Sequence, residues 1–209
     1  MCSTLLLTNL SVLLFLVKLC GSQVTQFGEC AVVETKKFFD IESFLGYWYE
    51  IERFPAWYDH NGACAYKRIE YCARRVEIQH GYVRDDILFK LNVNSSYIPG
   101  DDAVFTIKEN NIDPVGIPLQ IISTDYSHYA VVHGCRYKED LGIKYISAWI
   151  LSRERTLSNE FLSKARTELS GIPYANLAYL TKVEQDEAKC SYHWTANIQA
   201  EYLIFNDDS

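Results

Sequence analysis

The sequence predicts an all-β fold, an eight-stranded antiparallel up-and-down barrel with one late α-helix outside it. Three observations carry the prediction. Eight short segments of strand-like composition follow one another with turn residues between them. The chain holds 15 Tyr and 10 Phe against a single Met, a bias toward side chains that suit a pleated surface. Its 209 residues match the size at which all-β barrels form one domain. A β-sandwich gives much the same strand pattern, so periodicity alone leaves closure open. The composition, 48% hydrophobic and 22% charged, excludes disordered and collagen-like chains. A net charge of −7 argues against a general nucleic-acid binder, because a duplex demands a basic face.

Residues 5–17 are apolar except for Thr8, Asn9 and Ser11. A bilayer span needs about 20 residues, so this run is too short to cross. It fits the apolar core of a signal peptide, with Cys20, Gly21 and Ser22 as the small residues before cleavage near Ser22/Gln23. A buried N-terminal helix is the other reading of such a run. The chain thus divides into a signal peptide at 1–22, one domain at 23–200 and a polar tail at 201–209 expected to fray. Loss of 1–22 removes Lys18 and takes the net charge from −7 to −8.

The strand-like segments are justified in turn by what ends them. Residues 48–54 stop at Pro55; 65–71 follow; 76–79 precede His80-Gly81, read as a turn. Residues 87–93 stop at Asn94-Ser95-Ser96, and 104–107 precede a long loop rich in Asn, Asp and Pro. Residues 119–123 end at Thr124-Asp125, while 129–137 and 143–151 flank Lys138-Glu139-Asp140. The period then changes. Phe161, Leu162, Ala165 and Leu169 share one face of a helix over 158–170, capped by Ser158, stopped by Gly171 and followed by Pro173. Residues 177–183 are a last apolar segment, read as a further strand.

Five cysteines lie beyond the signal: Cys30, Cys64, Cys72, Cys135 and Cys190. In an exported chain most should pair; two bridges leave one thiol over, and spacing leaves the pairing open. There is no CxxC or HxxxH pair, and His60, His80, His128, His133 and His193 read as surface or loop residues, so no metal site is expected. Asn94-Ser95-Ser96 is also a glycosylation sequon.

Three motifs then stand in order. Gly46-Tyr47-Trp48 resembles the Gly-x-Trp motif of lipocalins. Thr124-Asp125-Tyr126 resembles their second motif, and Ile150-Leu151-Ser152-Arg153 their third. Trp48-Tyr49-Glu50-Ile51-Glu52-Arg53-Phe54-Pro55 and Ala148-Trp149-Ile150-Leu151-Ser152-Arg153 are most similar to the apolipoprotein D branch, with the insect bilin-binding proteins and insecticyanins. The resemblance runs from about Cys30 to Cys190. It implies the barrel, and it implies bridges Cys30–Cys135 and Cys64–Cys190, with Cys72 outside that framework. Lys67, Arg68 and Glu70 depart from the branch by their charge, so the wall there is expected to be less greasy.

The resemblance also implies roles. Phe38, Phe39, Ile41 and Leu45 would plug one end, Trp48 would sit at the base, and Arg153 would lie over its indole, a contact worth about 0.5–2 kcal/mol. Gly46 would allow close backbone approach, and Asp125 would order its turn. Trp149 and Leu151 would line a ligand cavity, with Phe105 and Ile107 as a second inward pair. Trp57 and Tyr58, in the first inter-strand loop, would cap a ligand or touch a membrane or lipoprotein at the mouth. The function implied is a secreted, non-enzymatic carrier of a fatty acid, sterol, retinoid or bilin, with a bound bilin chromophore as the one cofactor-like group allowed. Two alternatives rest on Cys72: a thiol-dependent isomerase, with Arg74 and Arg75 near in sequence, or a redox-protective, partner-binding protein linked as a Cys72 disulfide dimer.

Overall fold

The computed structural model of the chain describes residues 23–58, 62–72, 75–100 and 102–202. The expected signal peptide at 1–22, His60, Arg74, the side chain of Cys72 and residues 203–209 of the expected tail lie outside the described residues.

Eight antiparallel strands close a barrel: β2 (Gly46–Arg53), β3 (Ala63–Cys72), β4 (Arg75–Arg84), β5 (Ile87–Ser96), β6 (Val104–Ile107), β7 (Leu119–Thr124), β8 (Tyr129–Lys138) and β9 (Ile143–Ser152). Each pairs with the next, and β9 returns to β2, Tyr49 opposite Ser152 and Arg53 opposite Trp149. Closure, which the strand pattern alone left open, follows from that last pairing and removes the edges of a sandwich. β1 (Val24–Phe27) lies along β9, and the short β10 (Thr181–Lys182) along β2.

Two expected turns are strand instead. His80-Gly81 lies within β4, where the Tyr66 ring of β3 packs across the glycine; a Cβ at Gly81 would fall 2.2 Å from that ring. The glycine makes room for an aromatic rather than for a bend. The chain turns later, at Asp85-Asp86, with φ values of 51° and 60° at the two residues. Asn94-Ser95-Ser96 likewise belongs to β5, and Asn94 is half-buried, its N–H donating to the Tyr202 hydroxyl at 2.7 Å.

α1 (Ile41–Phe44) starts on Asp40, whose carboxylate accepts from the N–H groups of Glu42 and Ser43. α2 (Asn159–Ser170) starts on Ser158, which accepts from Phe161 N–H, and ends at Gly171. Its Ala165 and Leu169 pack on the outer faces of β8 and β9, against Val131, Ile146 and Ile150. Arg166 forks onto the Glu52 carboxylate of β2 from outside. Residues 177–183 form a 3-10 turn (Leu177–Tyr179) before β10 rather than one strand.

The C-terminal segment departs most from expectation. β11 (Trp194–Gln199) runs parallel to β5, Trp194 opposite Ile87 and Gln199 opposite Asn92. β5 meets β6 at only Ser95 and Ser96, so β11 covers the part of the β5 edge that β6 leaves open. Glu201 and Tyr202, assigned to the fraying tail, continue this strap: Tyr202 bridges to Asn110, and Glu201 N–H donates to Asn111. Cys30–Cys135 and Cys64–Cys190 form the two disulfides, with Cα separations of 5.9 and 5.5 Å.

Candidate functional site: the barrel interior

Inward alternation fills the lower half of the barrel. Trp48, Phe44, Phe105, Ile69, Ala130 and Leu151 are all buried there. Phe39 packs edge-on to Phe44, Tyr97 and Phe105. Phe38 is the exception to the expected plug: with φ of 53° its side chain turns out to solvent, and Phe44 takes the central place. The Trp48 indole N–H donates to Phe44 O at 2.8 Å. The Arg153 guanidinium lies 3.7 Å from the Trp48 ring centroid and donates to the carbonyls of Ser43, Leu45, Tyr47 and Tyr126. It collects carbonyls that the closed end leaves without strand partners. Gly46 is needed here for its φ of 95°, which side-chain-bearing residues rarely adopt, rather than for close approach: a Cβ would meet that guanidinium at an ordinary 3.6 Å. Asp125 accepts from the N–H groups of Ser127, His128 and Tyr129, while Thr124 Oγ1 accepts from Tyr126 N–H and donates to Tyr129 O. These residues build the base.

Above the base a small cavity remains, about 50 Å³, room for a few waters. Ile78, Leu91, Val93, Ile107 and Leu119 form its apolar wall; Trp149, Lys67, His80 and Ser147 form the other. Tyr58, Ile112 and Ile117 roof it from two loops. Of the six expected ligand contacts, Trp149, Ile107 and Tyr58 line this space. Leu151 and Phe105 are packed beneath it, because their registers fall nearer the closed end. Trp57 faces away: its indole donates to Ile112 O at 3.2 Å and stacks edge-on to Tyr145, so it braces the roof.

The less greasy wall is a buried ion cluster. The pairing of β2 with β9 shifts register between Glu50 and Glu52, a bulge at Ile51 that turns both Glu50 and Arg53 inward. Glu50 is 0% exposed; its Oε2 lies 2.8 Å from Arg53, and its Oε1 lies 3.0 Å from Lys67 Nζ and 3.2 Å from His80 Nδ1. Burial pushes the Glu50 carboxyl up, but Lys67, His80 and Arg53 outweigh it and hold the group well below its usual value. Burial pulls His80 down against the pull of Glu50. Lys67 Nζ also stands 4.2 Å from the Trp149 ring centroid. Arg68 and Glu70, the other charged residues of this strand, point outward and pair with each other.

Sequence reasoning placed all five histidines on the surface or in loops. His80 and His133 are instead buried on strands, His133 outside the cavity with Nδ1 against the Gln120 side chain at 3.1 Å. Strict alternation would have found the cluster: Ala65, Lys67 and Ile69 share one face of β3, as Val76, Ile78 and His80 share one of β4. The roof residues Ile112 and Ile117 carried no such signal, because their loop has no period. Among the described residues no group of three or more His, Cys, Asp or Glu could hold a metal, and no helix is long and apolar enough to cross a membrane.

Residues 84–184 match the model of the lipocalin / cytosolic fatty-acid binding protein family. Insecticyanin-A of Manduca sexta is 25% identical over 186 residues, covering 82% of this chain and 94% of that protein. The bilin-binding protein of Pieris brassicae is 24% identical over 183 residues, 86% of this chain and 96% of that one. Apolipoprotein D of Cavia porcellus is 28% identical over 193 residues, 89% and 97%. The solved structure of insecticyanin from the tobacco hornworm superposes with a TM-score of 0.72 at 22% identity, covering 86% of this chain and 98% of that one.

Proposed function

This chain is a lipocalin by its motifs, its barrel and its relatives, and from that premise we propose that it is a secreted carrier that holds a small hydrophobic ligand inside the barrel. The observation that carries the reading is the cavity between Trp149 and the wall of Ile78, Leu91, Val93, Ile107 and Leu119. Apolar surface buried there would supply affinity at about 25 cal/mol per Å². The space is smaller than a lipid or a tetrapyrrole, so entry requires Tyr58 and the 108–118 loop, which carries Ile112 and Ile117, to move aside. The name of the bilin-binding protein supports a bilin as one ligand class, alongside fatty acids, sterols and retinoids. The two disulfides and a signal peptide at 1–22 support export, and the sequon at Asn94 would then be open to glycosylation. The role is binding rather than catalysis.

Protein purified from its native source gives the test. Visible absorbance that co-elutes with the chain assigns a bilin. A colourless protein whose organic extract contains stoichiometric lipid assigns a lipid. An empty extract, together with no quenching of tryptophan fluorescence by a panel of lipophiles, overturns the carrier reading.

A further inference from the structure

β11 joins the barrel wall by one edge and leaves the other bare. The N–H groups of Trp194 and Ala200 donate to the carbonyls of Asp86 and Asn92, along β5. A strand turns its backbone groups alternately to either side. Ala196 and Ile198 therefore also face β5, and Thr195, Asn197, Gln199 and Glu201 face away. Glu201 fits this phase, since Asn111 takes both its N–H and its carbonyl. The outward N–H and C=O groups of Thr195, Asn197 and Gln199 have no hydrogen-bond partner among the described residues. Nothing in the sequence blunts this edge. Residues 191–200 hold no charged residue and no proline, the usual means of keeping an edge from pairing. β1 and β10, which also lie off the barrel wall, are only four and two residues long, and β10 carries Lys182. On β11 Trp194 is 73% exposed and Ile198 37%.

We propose that this edge is the interface for a second copy of the chain, whose own β11 pairs antiparallel to it about a two-fold axis at Asn197. The occupant follows from the edge itself. Pairing centred on Asn197 sets Thr195 opposite Gln199 of the copy and Asn197 opposite its equivalent. Each outward donor of the three residues then meets an outward acceptor, for about six cross-chain bonds. The same register carries Trp194 diagonally past Ile198 of the copy, within reach of an aromatic ring, so both exposed apolar side chains gain cover. Charge selects the same place. The chain carries −7, so two copies repel, and the uncharged run at 191–200 is where they can close without like charges meeting. Glu201 falls opposite His193 of the copy rather than opposite another carboxylate, and Lys90, the register neighbour of Asn197, stays one strand behind the axis. The two-fold uses up both bare edges, so pairing stops at two copies. So short an edge makes a small interface that dissociates in the micromolar range.

Sedimentation velocity of the chain with both disulfides intact tests the inference, in a Cys72→Ser background so that no thiol-linked pair is counted. Between about 1 and 200 μM the weight-average sedimentation coefficient should climb from that of a monomer to that of a dimer. Asn197→Lys sets two ammonium groups against each other at the axis and spares the bonds to β5; it should weaken association at least about tenfold. Asn197→Pro, which removes the central outward N–H, should do the same, and where the proline disturbs the strand the lysine variant decides. Hydrogen exchange at the amides of Thr195, Asn197 and Gln199 should slow as the concentration rises. A monomer across the whole range overturns the inference. So does a dimer that Asn197→Lys, with the circular dichroism of the parent, leaves intact, or one in which those three amides exchange as fast as in the monomer. No lipophile enters these measurements, so the carrier reading stands or falls separately.

Discussion

Single residues here are held by what they would lose if left alone. Glu50 keeps its charge at full burial because two cations and a histidine face it; without Glu50, the Lys67 ammonium would be buried with no carboxylate beside it. Arg153 works the same way at the base, where one guanidinium serves four carbonyls and an indole face. His133 shows the opposite case. It is 0% exposed with no anion beside it, and burial holds its pKa down at about 4 from 6.5. The unfolded chain therefore takes up a proton that the native ring refuses. Stability should be full above about pH 6.5 and fall steadily toward pH 4, a loss of about 3 kcal/mol from this group. Urea unfolding at pH 7 and pH 4.5 should show that slope in the parent and a flatter one in His133→Gln. The motif residues at this scale were legible in the sequence, since Gly46, Trp48 and Arg153 are singular choices. The inward charges were not, because a charged residue on a strand reads as solvent-facing until the register is fixed.

The strands themselves follow from alternation and turn chemistry, and the sequence locates all eight within a few residues. Errors fall where one residue type serves two purposes. Gly81 looks like a turn and is a seat for Tyr66; Asn94-Ser95-Ser96 looks like a turn and is the end of β5. β11 was illegible for a different reason: with Trp194 and Ile198 both exposed, it buries no apolar face that would set a period. Its contribution is to the backbone of β5, whose open edge it covers. Ending the chain at Tyr192 should therefore cost about 2 kcal/mol or more of unfolding free energy. Hydrogen exchange of the amides in 87–92 should accelerate at least about tenfold in that truncated chain, with β8 and β9 unaffected. Equal protection in both chains would show that β11 lies on the barrel without sealing it.

At the scale of the whole molecule, two cross-links bind the ends of the chain to the wall. Cys30–Cys135 spans 105 residues and Cys64–Cys190 spans 126. Loop entropy gives about 4–5 kcal/mol for each as an upper figure. A barrel that leaves space at its centre gives up part of an ordinary core, so this contribution is large in proportion. Reduction should lower Tm by at least about 10 °C, read by circular dichroism with and without reductant. An unchanged Tm would mean that the barrel alone sets the stability.

The strap along β5 also has a consequence for how the protein is made. Its residues are made after every strand of the barrel, yet they finish a stretch of wall that lies about a hundred residues earlier in the chain. The open edge of β5 cannot be covered until β11 has been made. Until then, the unfinished flank of β5 is a ready template for a neighbouring nascent chain, and the Cys64–Cys190 bridge, four residues before β11, tethers the sealing piece to the wall.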